Sequence, residues 1–90
     1  NIMKYACLCC GYKTLNEQPP GTFGICDICG WEDDNADGGA NKVTLKEAKE
    51  NFNKFGMSDP NHLQIKKMIR QPTEQDDRDP NWENLYYPDK

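Results

Sequence analysis

Two short cysteine-rich stretches carry the residues of this chain that could do chemistry. Residues 7–12 and 26–31 both follow the pattern C-x-x-C-G-aromatic, and fifteen residues separate the two cysteine pairs. Two pairs at this spacing are typical of a site in which four thiolates bind one zinc ion in a tetrahedron. The predicted metal ligands are Cys7, Cys10, Cys26 and Cys29.

Each cysteine pair is predicted to form a knuckle, a tight turn that points both sulfurs at one ion. The turn also leaves backbone N–H groups free to donate hydrogen bonds to the sulfurs. Gly11 and Gly30, which follow the pairs, permit the positive φ by which the chain leaves the ion without a Cβ clash. We name residues 7–12 the first knuckle and residues 26–31 the second knuckle.

Two metals fit this ligand set, because tetrahedral thiolate coordination suits iron as well as zinc. With iron, the protein would be a rubredoxin-like electron carrier. Zinc is preferred for two reasons. Leu8 and Asp27 stand at knuckle positions where a rubredoxin is expected to carry proline, and a bare redox carrier has no use for the acidic, helical remainder of the chain. The predicted cofactor is therefore Zn²⁺, with iron as the alternative.

A fifth cysteine, Cys9, lies inside the first knuckle and is left over by the four-ligand pattern. A thiol beside a metal site can have a lowered pKa, so a thiol enzyme or a redox switch is one hypothesis for it. A passive neighbour of the metal, or an alternative ligand, is the simpler interpretation. The chain has no Ser/His/Asp set, no glycine-rich phosphate loop and a single histidine, so we do not expect an enzyme.

The composition limits the size of the core. Of 90 residues, 36% are hydrophobic and the mean hydropathy is −0.99, which leaves one domain with a small core. A structural zinc site can supply about 10–16 kcal/mol of folding free energy to a small domain. The odd cysteine count and the lack of a signal-peptide or membrane-spanning run predict a cytoplasmic protein with reduced thiols. Asn1 and Ile2, which precede Met3, resemble the remnant of an expression tag.

The net charge indicates the kind of partner. The formal charge is −4 and the pI is about 4.8. Four thiolates with one Zn²⁺ would bring the charge to about −6. A nucleic-acid binder should show a basic face, so we do not expect a nucleic acid as partner. Because no membrane-spanning run occurs, we do not expect a membrane either. The charge is compatible with a cationic protein partner.

Short strand-like stretches flank the knuckles. Residues 4–6 and 12–15 lie on either side of the first knuckle, and residues 22–25 lead into the second after a Pro-Pro-Gly turn. This order predicts a small α+β fold that begins with a zinc ribbon, in which rubredoxin-like knuckles sit on short antiparallel strands. The side chains expected to pack around the metal are Tyr5, Tyr12, Phe23, Ile25 and Trp31.

An acidic loop, residues 32–41, follows the second knuckle. Asp33, Asn35 and Asp37 fit the first, third and fifth positions of an EF-hand calcium loop. Position twelve would be Thr44, where calcium requires a bidentate glutamate. We therefore prefer an Asx-rich turn that leads into a helix.

The clearest predicted helix spans residues 44–55. Thr44 and Glu47 form a capping box at its start, and Gly56 supplies a left-handed stop. One apolar stripe, expected to lie on the ribbon, consists of Leu45, Ala48, Phe52 and Phe55.

A second helix is predicted with Asp59 as N-cap and Pro60 as its first residue, followed by residues 61–70. Its basic residues cluster near its end, where they suit the helix dipole. His62 lies in its first turn, and we do not expect it to be a metal ligand or a catalytic base.

The end of the chain is polar and acidic at residues 73–79, which resemble an arm or linker, and then aromatic. The late hydrophobic residues are Trp82, Leu85, Tyr86 and Tyr87. They either fold back over the core or dock on a partner, including a second copy of the chain as a homodimer. We expect a domain at residues 3–72 and a tail at residues 73–90.

These motifs, taken in order, resemble the cysteine-rich CPCC family of small, mostly bacterial proteins. The likeness covers about residues 5–72 and is carried by both knuckles, the Pro20-Gly21-Thr22 turn, and residues 31–34, 39–41 and 45–56. One departure is Leu8, where the family has the proline of its name. The resemblance implies a zinc-ribbon-like metal site and associates the chain with bacterial toxin and immunity systems.

The function that these observations predict is a protein-interaction module with structural zinc. Its sharper form is an immunity-type inhibitor of a cationic bacterial toxin, which the negative charge, the small size and the missing catalytic set favour. The alternative is the rubredoxin-like iron electron carrier.

Overall fold

The protein is described here over residues 3–88, from a computed structural model. Asn1 and Ile2, the expected tag remnant, lie outside the described residues. In chain order the elements are β1 (Tyr5–Ala6), β2 (Lys13–Leu15), α1 (Leu45–Phe55), α2 (Leu63–Met68) and a 3₁₀ helix (Trp82–Asn84). Two antiparallel strands and two helices are thus confirmed. Within residues 3–88, no helix has both the length and the apolar character needed to cross a bilayer.

The strands β1 and β2 form a two-stranded antiparallel sheet that carries the first knuckle at its end. Tyr5 pairs with Leu15 and Ala6 pairs with Lys13, so the register shifts by one residue between the two pairs. Such a bulge bends the strand locally. The role of this small sheet is therefore to bring the two ends of the first knuckle together.

The strand predicted for residues 22–25 is not formed. Phe23 has a φ of 59°, which lies outside the extended region, and Ile25 makes only an isolated bridge to Glu32. The expectation that both residues pack around the metal is wrong, since Phe23 is 56% and Ile25 is 47% exposed. The turned backbone at Phe23 removes the alternation on which that expectation depended.

Helix α1 begins and ends as predicted. The Thr44 hydroxyl accepts a hydrogen bond from the Glu47 N–H, and the Glu47 carboxylate accepts one from the Thr44 N–H. Gly56 ends the helix with a φ of 75°. Leu45 is fully buried, as the apolar stripe predicts, but Phe55 at the other end of the stripe is 58% exposed.

Helix α2 starts three residues after the predicted first position. The Asp59 carboxylate accepts a hydrogen bond from the Asn61 N–H at 3.0 Å, which makes a turn before the helix and not a cap. The actual N-cap is His62, whose Nδ1 accepts from the Ile65 N–H at 3.4 Å. The helix also ends early, because Ile69 is extended.

The core surrounds the cysteines themselves. Its fully buried members outside the cysteines are Ile28, Trp31, Leu45 and Ala48. Partly buried hydrophobic residues complete it, namely Tyr12, Val43, Phe52, Leu85 and Tyr87. Helix α1 therefore lies on the knuckles, and residues from the end of the chain lie on the same core.

Residues 77–79, which the sequence indicated as part of a linker, run beside the first knuckle. The Lys13 N–H donates to the Asp77 carbonyl and the Asp79 N–H donates to the Gly11 carbonyl, both at 2.8 Å. Tyr12 and Arg78 form the antiparallel bridge between these two bonds. Residues 77–79 are thus held against the first knuckle by an isolated bridge beside the two-stranded sheet.

Candidate metal centre

The structure brings the four predicted ligands together. The Sγ atoms of Cys7, Cys10, Cys26 and Cys29 all lie within 4.8 Å of one another. Two of the separations, Cys7 to Cys29 and Cys10 to Cys26, are 3.7 Å. Four sulfurs at about 2.3 Å from a central zinc would lie about 3.8 Å apart. The spacing fits a tetrahedral site, so these four cysteines could bind a metal ion.

The two knuckles have the same backbone geometry. In the first, the Cys7 N–H donates to the Tyr12 carbonyl at 2.9 Å and the Gly11 N–H donates to the Cys7 carbonyl at 2.8 Å. The second knuckle repeats both bonds between the corresponding residues, at 3.0 and 2.9 Å. Gly11 and Gly30 have φ values of 80° and 83°. The repeated C-x-x-C-G pattern thus encodes one turn twice.

Both knuckle glycines are also needed for space. A Cβ on Gly11 would overlap the Trp82 side chain, and a Cβ on Gly30 would overlap the Ile65 side chain. Each knuckle is therefore covered by a hydrophobic residue from much later in the chain. Sequence reasoning found the positive φ but not this second role.

Three donors stabilise negative charge on the sulfurs of the second knuckle. The Ile28 N–H lies 3.4 Å from the Cys26 sulfur, and the Trp31 N–H lies 3.4 Å from the Cys29 sulfur. The Thr14 hydroxyl donates to the Cys26 sulfur at 3.1 Å. The N–H donors follow from the knuckle geometry. Thr14 was missed, and its only indication in the sequence is that it follows Tyr12 by two residues, on the same face of the strand.

The buried sulfurs cannot all ionise without a cation. Hydrogen bonding to Cys26 raises the pKa of the Cys10 thiol, and burial raises the pKa of the Cys29 thiol. The pKa of Cys26 is lowered, because the thiol of Cys10 above all donates a hydrogen bond to it. Cys26 is thus the thiol of the cluster that its neighbours favour in the ionised form. A bound metal ion would displace the remaining protons, since only the thiolate is a ligand.

Two cations that sequence reasoning missed lie on the first knuckle. The Lys49 ammonium on α1 donates to the carbonyl of Leu8, the second residue of the knuckle, at 2.8 Å. Arg78 donates from Nε to the Cys10 carbonyl at 2.8 Å. Burial lowers the pKa of Lys49. The sequence offered no indication of these contacts, because 41 and 68 residues separate the partners.

Cys9 is buried, at 2% exposed, but lies outside the four-sulfur cluster. Its thiol is free, as are those of the other four cysteines. The hypothesis of a thiol enzyme or a redox switch at Cys9 stays a prediction.

The acidic loop does not gather a calcium site. Among residues 3–88, the four cysteines are the group of His, Cys, Asp or Glu side chains that could hold a metal. Asp33 is buried and accepts from the Thr22 N–H, whereas Asp37 accepts from the Leu45 N–H at the start of α1. Asp34 accepts from the Ala40 and Asn35 N–H groups, which lower the pKa of its carboxyl. These carboxylates accept from N–H groups one, six, eight and eleven residues away, and not two residues on, so the bonds are not the Asx turns that the sequence predicts.

The fold and the site together define a small, cysteine-rich protein with two matched knuckles around a four-cysteine cluster that could bind a metal. The chain belongs to the cysteine-rich CPCC family, because the sequence model of that family matches residues 5–76. The resemblance described above is thereby confirmed, and the match reaches four residues further than expected. No curated protein and no solved structure matches the chain.

Proposed function

We propose that the protein is a structural-zinc module that binds another protein and has no catalytic activity of its own. One observation carries the first half of this proposal: the four cysteines that would hold the ion are 0% exposed. A catalytic zinc keeps an open position for water or substrate, whereas a structural zinc has four protein ligands in a closed shell. Four buried thiolates at tetrahedral spacing favour the closed kind.

The position of the site in the core favours a structural role as well. Leu45 and Ala48 of α1 pack on the cluster, and Trp31 of the second knuckle is buried beside them. A metal that joins the knuckles would therefore also organise the surface on which α1 rests. In this arrangement the free energy of metal binding becomes free energy of folding.

Metal analysis of the purified protein tests this role. We expect one zinc per chain, lost together with the fold when a strong chelator is added. Cys26→Ser should abolish stoichiometric binding, because it removes a ligand, whereas Cys9→Ser is the matched control and should keep one zinc. A chelator-treated protein that is metal-free and still folded would contradict the structural role.

The choice of a cationic protein as partner depends on charge and on size. The chain has 15 acidic against 11 basic residues, and the bound zinc site would add to the negative charge. Negative charge steers association with positive partners and repels nucleic acid. Within the cysteine-rich CPCC family, we propose an immunity-type inhibitor of a cationic bacterial toxin.

Co-expression tests that sharper form. The probe is a basic toxin domain from a neighbouring gene, expressed in cells that it kills. We expect growth to be restored by the wild-type protein and by Cys9→Ser, but not by the metal-free Cys26→Ser. Killing that continues at full rate in the presence of the folded, zinc-bound protein would eliminate the inhibitor proposal and leave the metal role intact.

An iron electron carrier is the second candidate, and the hydrogen bonds to the sulfurs are the observation that favours it. Donors to cluster sulfurs raise the potential of thiolate-bound iron, and the N–H groups of Ile28 and Trp31 and the Thr14 hydroxyl lie at such positions. Protein that is red when purified and loses its colour on reduction would support this candidate. Colourless protein with one zinc per chain would eliminate it.

A further inference from the structure

Lys49 joins three parts of the chain at the first knuckle. From α1, its Nζ donates to the Leu8 carbonyl at 2.8 Å and to the Trp82 carbonyl at 2.9 Å. Leu8 is the knuckle residue next to the ligand Cys7, and Trp82 is the residue that covers Gly11. One ammonium group therefore links helix, knuckle and C-terminal segment.

Arg78 is held on the same knuckle by aromatic rings. Its guanidinium carbon lies 3.7 Å from the centroid of the Trp82 ring and 4.8 Å from that of Tyr12. A third ring, that of Phe52 on α1, lies at 5.6 Å. Its Nε bonds to the Cys10 carbonyl, and its Nη2 is buried without a hydrogen-bond partner among the described residues.

No carboxylate neutralises these two cations. Within residues 3–88, the ion pairs of the chain involve Arg70, and neither Lys49 nor Arg78 has an acidic oxygen within 4.0 Å. Drawing a cation out of water costs free energy unless an opposite charge compensates it. Cation–π contacts recover part of this cost for Arg78. A buried negative charge nearby would supply further compensation for both cations.

That charge is present once the four sulfurs bind a divalent metal. Four thiolates and one dication carry a net charge of −2, buried in the core against the same knuckle. The two positive side chains on the backbone of the first knuckle are opposite to this charge in sign and equal to it in magnitude.

We propose that Lys49 and Arg78 form a cationic clasp that compensates the charge of the metal-bound thiolates and slows the release of the metal. Trp82 holds the two cations of the clasp in place, because its carbonyl accepts from Lys49 and its ring stacks on Arg78. Arg78 and Trp82 lie beyond residue 76, where the family match ends. The C-terminal segment thus assists a site whose ligands all lie in the first 29 residues. This inference rests on the proposed function, because it requires that the cysteines bind a divalent metal.

Competition with a coloured chelator, at fixed pH and salt, tests the clasp. The probes are Zn²⁺ and Co²⁺ alone, and the visible spectrum of Co²⁺ reports that the site remains tetrahedral. Lys49→Gln and Arg78→Gln should each lower the affinity about tenfold and speed release similarly, as removal of an outer partner of a metal ligand does. Lys54→Gln, exposed on the same helix, is the charge-matched control for Lys49, and the exposed Lys67→Gln is the control for Arg78. Both controls should behave as wild type.

Charge-retaining variants separate compensation of charge from simple packing. Arg78→Lys and Lys49→Arg should recover most of the lost affinity, because each keeps a cation at the knuckle. If they behave like the glutamine variants, or if the glutamine variants match their controls, the clasp is overturned. Should Arg78→Gln fail to fold, Lys49→Gln and Arg78→Lys still decide. A wild-type protein that takes up neither Zn²⁺ nor Co²⁺ overturns the proposed function itself. Metal uptake that is equal in the wild type and all variants overturns only the clasp.

Discussion

The carbonyl oxygen of Cys10 accepts a hydrogen bond from Nε of Arg78, 68 residues later in the chain. The corresponding carbonyl in the second knuckle, that of Cys29, accepts one from the Ser58 N–H at 2.8 Å. Each pair of clustered cysteines is therefore held by a segment that follows it at a distance. Substitutions far from the cysteines should consequently alter the stability of the knuckles.

Alanine at either knuckle glycine should destabilise the metal-bound protein by about 3 kcal/mol. A positive φ costs a residue with a Cβ about 1–2 kcal/mol, and the added methyl group must also displace Trp82 at Gly11 or Ile65 at Gly30. The free energy of unfolding, measured with denaturant in excess zinc, checks this. Gly38→Ala is the control, because Gly38 has a φ of 86° but no atom within 4 Å of an added Cβ, and it should lose only about 1 kcal/mol. Equal losses at all three positions would show that the overlaps have no effect.

Removing the Thr14 hydroxyl should weaken metal binding about fivefold. The hydroxyl donates to the Cys26 sulfur at 3.1 Å, and a typical intramolecular hydrogen bond contributes about 1 kcal/mol net, which corresponds to about a fivefold change in affinity. Chelator competition on Thr14→Val measures the loss. Thr14→Ser keeps the hydroxyl and should retain the wild-type affinity. A serine variant as weak as the valine variant would indicate that the methyl group of Thr14 matters and the hydrogen bond does not.

Loss of the capping box should shift the stability of α1 without changing the metal content. Thr44→Ala leaves the Glu47 N–H without its acceptor, at a cost of about 1 kcal/mol. Denaturant unfolding gives the size of the effect, and metal analysis should still find one ion per chain. Lys46→Ala, an exposed change in the first turn of the same helix, is the control and should be nearly neutral. A neutral Thr44→Ala would mean that packing alone holds the start of the helix.

Stability at alkaline pH should depend on Tyr87. Burial, and then the charge of Asp37, raise the pKa of the Tyr87 hydroxyl. Because the folded pKa lies above the unfolded one, this contribution to stability is complete below the ordinary tyrosine pKa of about 10. It is lost as the pH rises from there through the raised pKa.

The free energy of unfolding between neutral and strongly alkaline pH measures this dependence. The free energy of unfolding of Tyr87→Phe should decline less steeply above the ordinary tyrosine pKa, because no proton is lost at this position. Asp37→Asn should have a smaller effect in the same direction, since it removes the neighbouring charge but keeps an oxygen for the Leu45 N–H. Superimposable curves for wild type and Tyr87→Phe would assign the alkaline loss to another group.

The sequence by itself determined the features that act over a few residues. The C-x-x-C-G spacing predicts both knuckles and the cluster of four cysteines, because two intervening residues and a positive φ specify the turn locally. The Thr44/Glu47 box and Gly56 predict α1 for the same reason. Where two local preferences competed, the prediction failed: Asp59 forms a turn with Asn61 and leaves the cap of α2 to His62.

The tertiary structure alone decided which side chains surround the sulfurs. Thr14, Lys49 and Arg78 reach the knuckles across 12, 41 and 68 residues, so no periodicity or short motif could indicate them. Phe23 and Ile25, whose residue types suit a core, face solvent because one positive φ turns the backbone. Hydrogen-bonding patterns within a turn are encoded in neighbouring residues, whereas contacts between distant segments depend on how the whole chain packs around the cysteine cluster.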